Sequence, residues 1–341
     1  MTSVLQGFRI SRILSEATLS TIPLYADAGE HAPARKTAST LSARDVKLLV
    51  CLGDSLLTGL CVTAHPGSVK NKVLAALASR PTHSLIVPWM ISGEHRNNTC
   101  ISGGGDGVVS VGRLLKVFSP AIVGLTQHKT YLFSRGSGFN FARSGSTVDG
   151  LVEQVHRFVS KLRRPEFCIL ENHWKLIYIW IGANDVFSRP IDEISRTFEA
   201  NLVKALQTLR TLVPRAFTCV LTMPNLSRAH VVNTEKRRDL IARKTKLVND
   251  LIRKVVAEYA WNDSEEFRVA LQPIPDDEIT EDQYGQFISE LDGIHPNYLA
   301  QQLFAKCIWN NLWLPPERKL TRLADIIQAP WAKPEPSQYI M

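Results

Sequence analysis

Four short segments of this chain carry side chains that can do nucleophilic chemistry at a carbonyl carbon. In Cys51-Leu52-Gly53-Asp54-Ser55-Leu56 a hydroxyl follows an apolar run. In Leu291-Asp292-Gly293-Ile294-His295-Pro296 a turn at Gly293 can fold the Asp292 carboxylate back onto one imidazole nitrogen of His295, leaving the other for a nucleophile. Between them, Asn140-Phe141-Ala142-Arg143-Ser144-Gly145-Ser146-Thr147 brings Gly145, whose backbone N–H can face a cleft. Ile179-Trp180-Ile181-Gly182-Ala183-Asn184-Asp185 brings Asn184, whose amide can donate to an oxyanion. Each segment alone has an ordinary explanation: a helix cap at Ser55, a loop glycine, a turn at Asn184 or Asp185, a histidine before a helix. In combination they supply a nucleophile (Ser55), a base (His295), a group to orient it (Asp292) and oxyanion donors (Ser55, Gly145, Asn184). Asp54 reads as a structural residue of the turn.

These segments must be positioned by regular elements. Apolar runs predict strands over Val46–Leu52, Phe139–Ala142, Leu176–Ile181, Thr218–Leu221 and Phe267–Leu271. Three- and four-residue apolar spacing predicts helices over Val148–Leu162, Asp192–Val213 and Glu235–Tyr259, with Lys236, Arg237, Arg238, Arg243, Lys244 and Lys246 on the wet side of the last. Pro296 suits the first turn of a helix to Leu312, and Leu56–Cys61, Val69–Leu77 and Val111–Val117 are further helical pieces. Alternating strands and helices imply a mostly parallel five-stranded sheet covered on both faces. Ser55 then sits at the carboxyl end of a strand, where open α/β sheets bind ligands.

The 341 residues, 45% hydrophobic and 21% charged, suit one large domain. A net charge of +8 favours encounters with anionic surfaces, but the cations are dispersed, so peripheral contact with an anionic membrane is expected and nucleic acid is not. No Cys-x-x-Cys pair and no Asp-x-His occurs, so no metal site and no cofactor is expected, and a metal-dependent phosphoesterase ranks low. The run Gly103-Gly104-Gly105-Asp106-Gly107 lacks the Gly-Lys-Ser/Thr of a phosphate loop. Cys61 and Cys100, in loop-like sequence, could pair in an oxidising compartment. Sequons at Asn97, Asn225 and Asn262 would suit secretion. No signal peptide and no transmembrane segment is legible.

The order of Gly53-Asp54-Ser55, Gly145, Gly182-Ala183-Asn184-Asp185 and Asp292-Gly293-Ile294-His295 resembles the four blocks of the GDSL, or SGNH, hydrolase family. Ser102-Gly103-Gly104-Gly105-Asp106, Val213-Pro214-Arg215-Ala216-Phe217 and Trp309-Asn310-Asn311-Leu312 are similar to its phospholipase B group. The resemblance implies a flavodoxin-like three-layer α/β/α sandwich over 42–316, with an extension over 1–41 and a tail over 317–341. It implies hydrolysis of acyl esters in phospholipids and lysophospholipids, and a secreted or extracellular location. The alternatives are a carboxylesterase of simpler esters and a catalytically silent lipid binder. Arg143 departs from the family pattern by placing a cation beside the second block. The oligomeric state is not legible.

Overall fold

Runs of branched and aromatic residues form one parallel sheet in the order β1 (Val46–Gly53), β2 (Trp174–Trp180), β3 (Ala216–Leu221), β4 (Phe267–Gln272). Every residue of β2 and β3 is buried, as expected where helices cover both faces of a parallel sheet. The computed structural model describes residues 37–62, 93–134, 136–229, 231–259, 261, 264–277 and 280–341. The expected helix at Val69–Leu77, the Asn262 sequon and most of the extension over 1–41 lie outside these residues.

The helices are α1 (Ser55–Thr58), α2 (Val111–Phe118), α3 (Leu151–Leu162), α4 (Ala183–Ser188), α5 (Ile191–Leu212), α6 (Glu235–Glu258), α7 (Glu281–Phe287), α8 (Tyr298–Asn311) and α9 (Leu323–Gln328). Strand pleating sorts the two covering layers. Trp180 meets Phe304 of α8 edge to face with ring centroids 5.2 Å apart, and Phe118 of α2 stacks on Trp309 of α8. The alternate strand residues take the other face, where α3, α5 and α6 pack on one another and on the strands. The result is the three-layer sandwich.

The fifth expected strand is a correction. Phe139–Ala142 runs beside β1 but pairs as a single parallel bridge, Cys51 with Asn140. Its outer edge is spent on other partners: the Asn140 carbonyl accepts from Ser137 and Arg96, and its side-chain oxygen accepts from the Ala142 N–H. The sheet of the described residues therefore has four strands. With this segment outside β1, the spatial order is nevertheless the flavodoxin-like one, and the switch point falls at β1.

Smaller corrections follow from capping and burial. α1 ends at Thr58, because Gly59 takes a left-handed conformation (φ 67°). Pro296 lies outside α8, whose cap is Asn297, accepting from the Ala300 N–H at 3.1 Å. Lys244 is buried, not on the wet face of α6, and burial lowers its pKa. Cys61 and Cys100 form no disulfide with each other, and both are buried. Residues 317–341 pack on the body: α9 buries Leu323 and Ile326, and the Ile340 N–H donates to the Leu41 carbonyl. No helix among the described residues is long and apolar enough to cross a membrane.

Candidate active site

β1 delivers Ser55 through a turn that only glycine can make. Gly53 has φ 155°, and a Cβ there would stand 2.0 Å from the Trp180 carbonyl oxygen. Asp54 then caps α1, one carboxylate oxygen accepting from the Leu56 N–H at 3.0 Å and the other from the N–H groups of Gly182 (3.3 Å) and Ala183 (3.2 Å). One carboxylate thus ties the end of β1 to the end of β2. Burial pushes this carboxyl up to about 7 against the pull of those N–H groups.

The loop before α8 brings His295 to Ser55. Its Nε2 lies 2.8 Å from Ser55 Oγ, and its Nδ1 lies 2.5 Å from Asp292 Oδ2. The other Asp292 oxygen accepts from the N–H groups of Ile294 (3.0 Å) and His295 (3.1 Å), so the turn at Gly293 (φ 65°) closes on the carboxylate. Burial alone would raise the Asp292 carboxyl. The adjacent imidazole and those N–H groups outweigh it and hold the acid well below the usual carboxylate range. An ionised Asp292 can only accept, so Nδ1 donates to it and Nε2 is left to take the Ser55 proton.

Gly145 (φ 81°) faces open space at the position a Cβ would occupy, and neither its N–H nor that of Ser55 has a partner among the described residues. Asn184 Nδ2 donates one hydrogen to the Ser146 carbonyl at 2.9 Å, which holds the amide beside Gly145 with its second hydrogen unspent. The structure thus joins Ser55, His295 and Asp292 in one hydrogen-bonded chain and sets Asn184 against the segment that carries Gly145. Asp185, by contrast, is buried and serves the scaffold, accepting from the Val148 N–H at 3.0 Å and pairing with Arg189. The N–H groups of Gly103, Gly104 and Gly105 all donate to carbonyls, so these three are not left to cradle a phosphate.

Sequence reasoning missed three supports. Gln154 of α3 accepts from the Gly53 N–H at 2.7 Å and donates to the Gly53 carbonyl at 2.9 Å. Arg96 and Glu94 form a fully buried ion pair at 2.7 Å; Arg96 also donates to the carbonyls of Asn140 and Ala142, and Glu94 accepts from Ser144 at 2.8 Å. That network anchors the segment carrying Gly145. Cys61 Sγ, a carboxylate oxygen of Asp292 and a ring nitrogen of His295 lie within 4.8 Å of one another. Apart from the Glu94–Arg96 pair itself and that of Asp292 with His295, these contacts join distant parts of the chain, so local pattern carries no signal of them.

Two cavities adjoin the segments that carry these residues. One, an apolar cleft, is walled by Leu56, Ile294, Pro296, Phe287, Leu303 and Phe304, among others, and reaches the loops after β3 and β4. The other, of about 410 Å³, is lined by Arg143, Ser144, Gly145, Ser146, Gln154 and Arg157, among others.

The family model described as GDSL-like Lipase/Acylhydrolase matches residues 49–308. Phospholipase B1, membrane-associated, of Rattus norvegicus is 26% identical over 191 residues, 55% of this chain and 12% of that protein. The Homo sapiens protein of the same name is 25% identical over 313 residues, 83% of this chain and 20% of that protein. The chain thus spans a fifth or less of the length of these curated relatives. Among solved structures, a Clostridium thermocellum family 3 carbohydrate esterase aligns with 84% of this chain and 100% of its own, at 14% identity and a TM-score of 0.40.

Proposed function

The chain belongs to the GDSL-like lipase/acylhydrolase family, and from that membership and the site geometry we propose that it cleaves fatty-acyl esters of phospholipids and lysophospholipids through an acyl-enzyme on Ser55. The observation that carries this reading is the hydrogen-bonded chain from Ser55 Oγ to His295 Nε2 (2.8 Å) and from His295 Nδ1 to Asp292 (2.5 Å).

Ser55 Oγ attacks the ester carbonyl as its proton passes to His295 Nε2, and Asp292 stabilises the imidazolium and fixes its orientation. The N–H groups of Ser55 and Gly145 and the amide of Asn184 receive the oxyanion. Collapse breaks the bond to the alcohol oxygen, which takes the proton from His295. Water, deprotonated by the same base, then attacks the acyl-enzyme, releasing the fatty acid and restoring Ser55. The apolar cavity beginning at Leu56 and Ile294 receives the acyl chain, which favours fatty-acyl over acetyl esters. The net charge of +8 favours approach to anionic lipid surfaces.

Labelling with a fluorophosphonate probe tests the nucleophile: wild type is labelled and Ser55→Ala is not. Labelling that survives Ser55→Ala removes Ser55 from the chemistry. Product analysis on phospholipids with distinguishable acyl chains, beside short-chain esters, then separates a phospholipase from an esterase of simple substrates.

A further inference from the structure

The cavity beside Gly145 is not the one that takes the acyl chain, and it holds one of the residues that depart from the family pattern. Arg143 lies in its wall. The backbone N–H of Arg143 donates to the Gly53 carbonyl at 3.0 Å, which fixes the residue against the strand end, two positions before Ser55. Its side chain is exposed and makes no hydrogen bond or ion pair among the described residues. Arg157, from α3, lines the same cavity, and the carboxylate of Glu153 is the acidic group in that wall.

The two cavities are separated by the fold. The apolar one is built by α8 and by loops after β3 and β4. The one at Gly145 is built by α3 and by the segment outside β1, on the other face and at the other edge of the sheet. Leu56, the residue after Ser55, lines the apolar one, and Gly145 lines the other. An ester whose acyl chain enters the apolar cavity therefore presents its alcohol half towards the Gly145 side. Guanidinium groups bind phosphate oxygens through paired N–H donors, and an arginine with no internal partner gives up no ion pair when it does so.

We propose that this cavity is the seat of the phosphodiester on the alcohol half of the substrate, with Arg143 as the residue that selects phosphate-bearing over neutral esters and Arg157 supporting it. This rests on the acyl-transfer reading and deepens it by assigning the headgroup side.

The test compares kcat/KM on lysophosphatidylcholine with that on a monoacylglycerol of the same acyl chain, and uses a p-nitrophenyl acyl ester to report the chemistry alone. Arg143→Gln is expected to lower the ratio of the phosphate-bearing to the neutral substrate about tenfold, the loss of one charge-assisted contact, and Arg143→Lys to restore part of it. The remote, exposed Arg163→Gln is expected to leave the ratio as it is. A ratio unmoved by Arg143→Gln, or lowered equally by Arg163→Gln, overturns the assignment, the latter by showing an effect of overall charge. Inorganic phosphate is expected to compete with lysophosphatidylcholine more strongly in wild type than in Arg143→Gln; equal competition places the anion elsewhere. If wild type hydrolyses none of the three esters, the acyl-transfer reading itself fails, an outcome distinct from an unchanged ratio.

Discussion

The side-chain amide of Gln154 clasps the Gly53 peptide, accepting its N–H at 2.7 Å and donating to its carbonyl at 2.9 Å. A glutamine of α3 thereby holds the turn from which Ser55 projects. Gln154→Ala leaves the Gly53 N–H buried and unsatisfied, a cost of about 1–3 kcal/mol. It should lower the thermal midpoint and, well below that midpoint, lower kcat more than it raises KM. An unchanged kcat would limit Gln154 to stability.

Asn184 presents its unspent amide hydrogen beside Gly145. If it receives the oxyanion, Asn184→Ala lowers kcat on the order of a hundredfold or more while KM moves little. Steady-state kinetics on a soluble acyl ester decides it, and a change confined to KM would remove Asn184 from the oxyanion site.

Stability should peak in mildly acidic solution. Burial raises the carboxyls of Asp54, to about 7, and Asp185, to about 6. Both exceed the unfolded value of about 3.9, so their contribution is complete in acid and is lost as pH climbs from about 4 to about 7. Asp292 is depressed instead, so its contribution is complete above about pH 4 and is lost in stronger acid. Thermal melts across this range should show both limbs. Asp54→Asn should flatten the neutral limb while lowering the whole curve, because its amide nitrogen would face the N–H of Gly182 or Ala183 or that of Leu56. An unaltered slope would show that Asp54 is ionised throughout.

The acyl cavity can be tested by filling it. Ala300 of α8 lines it, and Ala300→Phe should shorten the usable chain, lowering the ratio of long-chain to acetyl ester hydrolysis about tenfold or more. Equal losses on both esters would indicate a disturbed core in place of a blocked cavity.

The wrong expectations share one cause. The apolar run Phe139–Ala142 has strand composition, but whether it pairs along its length depends on what its outer edge meets, and Asn140 meets Arg96. Lys244 sits in a basic run whose pattern reads as wet, yet α6 packs closely enough on its neighbours to cover it. Pro296 has the right angle for a first helical turn, but the Asn297 side chain takes the cap instead.

The sequence by itself determined the four blocks, the alternation of strand and helix that sets them at one sheet edge, and the chemistry their side chains can perform. Those features are local: a turn glycine, a capping aspartate and an apolar period each act within a few residues. Only the tertiary structure decided the approach of His295 to Ser55, the hold of Arg96 and Glu94 on Asn140, Ala142 and Ser144, the clasp of Gln154 on Gly53 and the placing of Arg143 opposite an apolar cavity. Each depends on the packing of segments far apart in the chain, and burial, which gives those contacts their strength, has no value until the layers close.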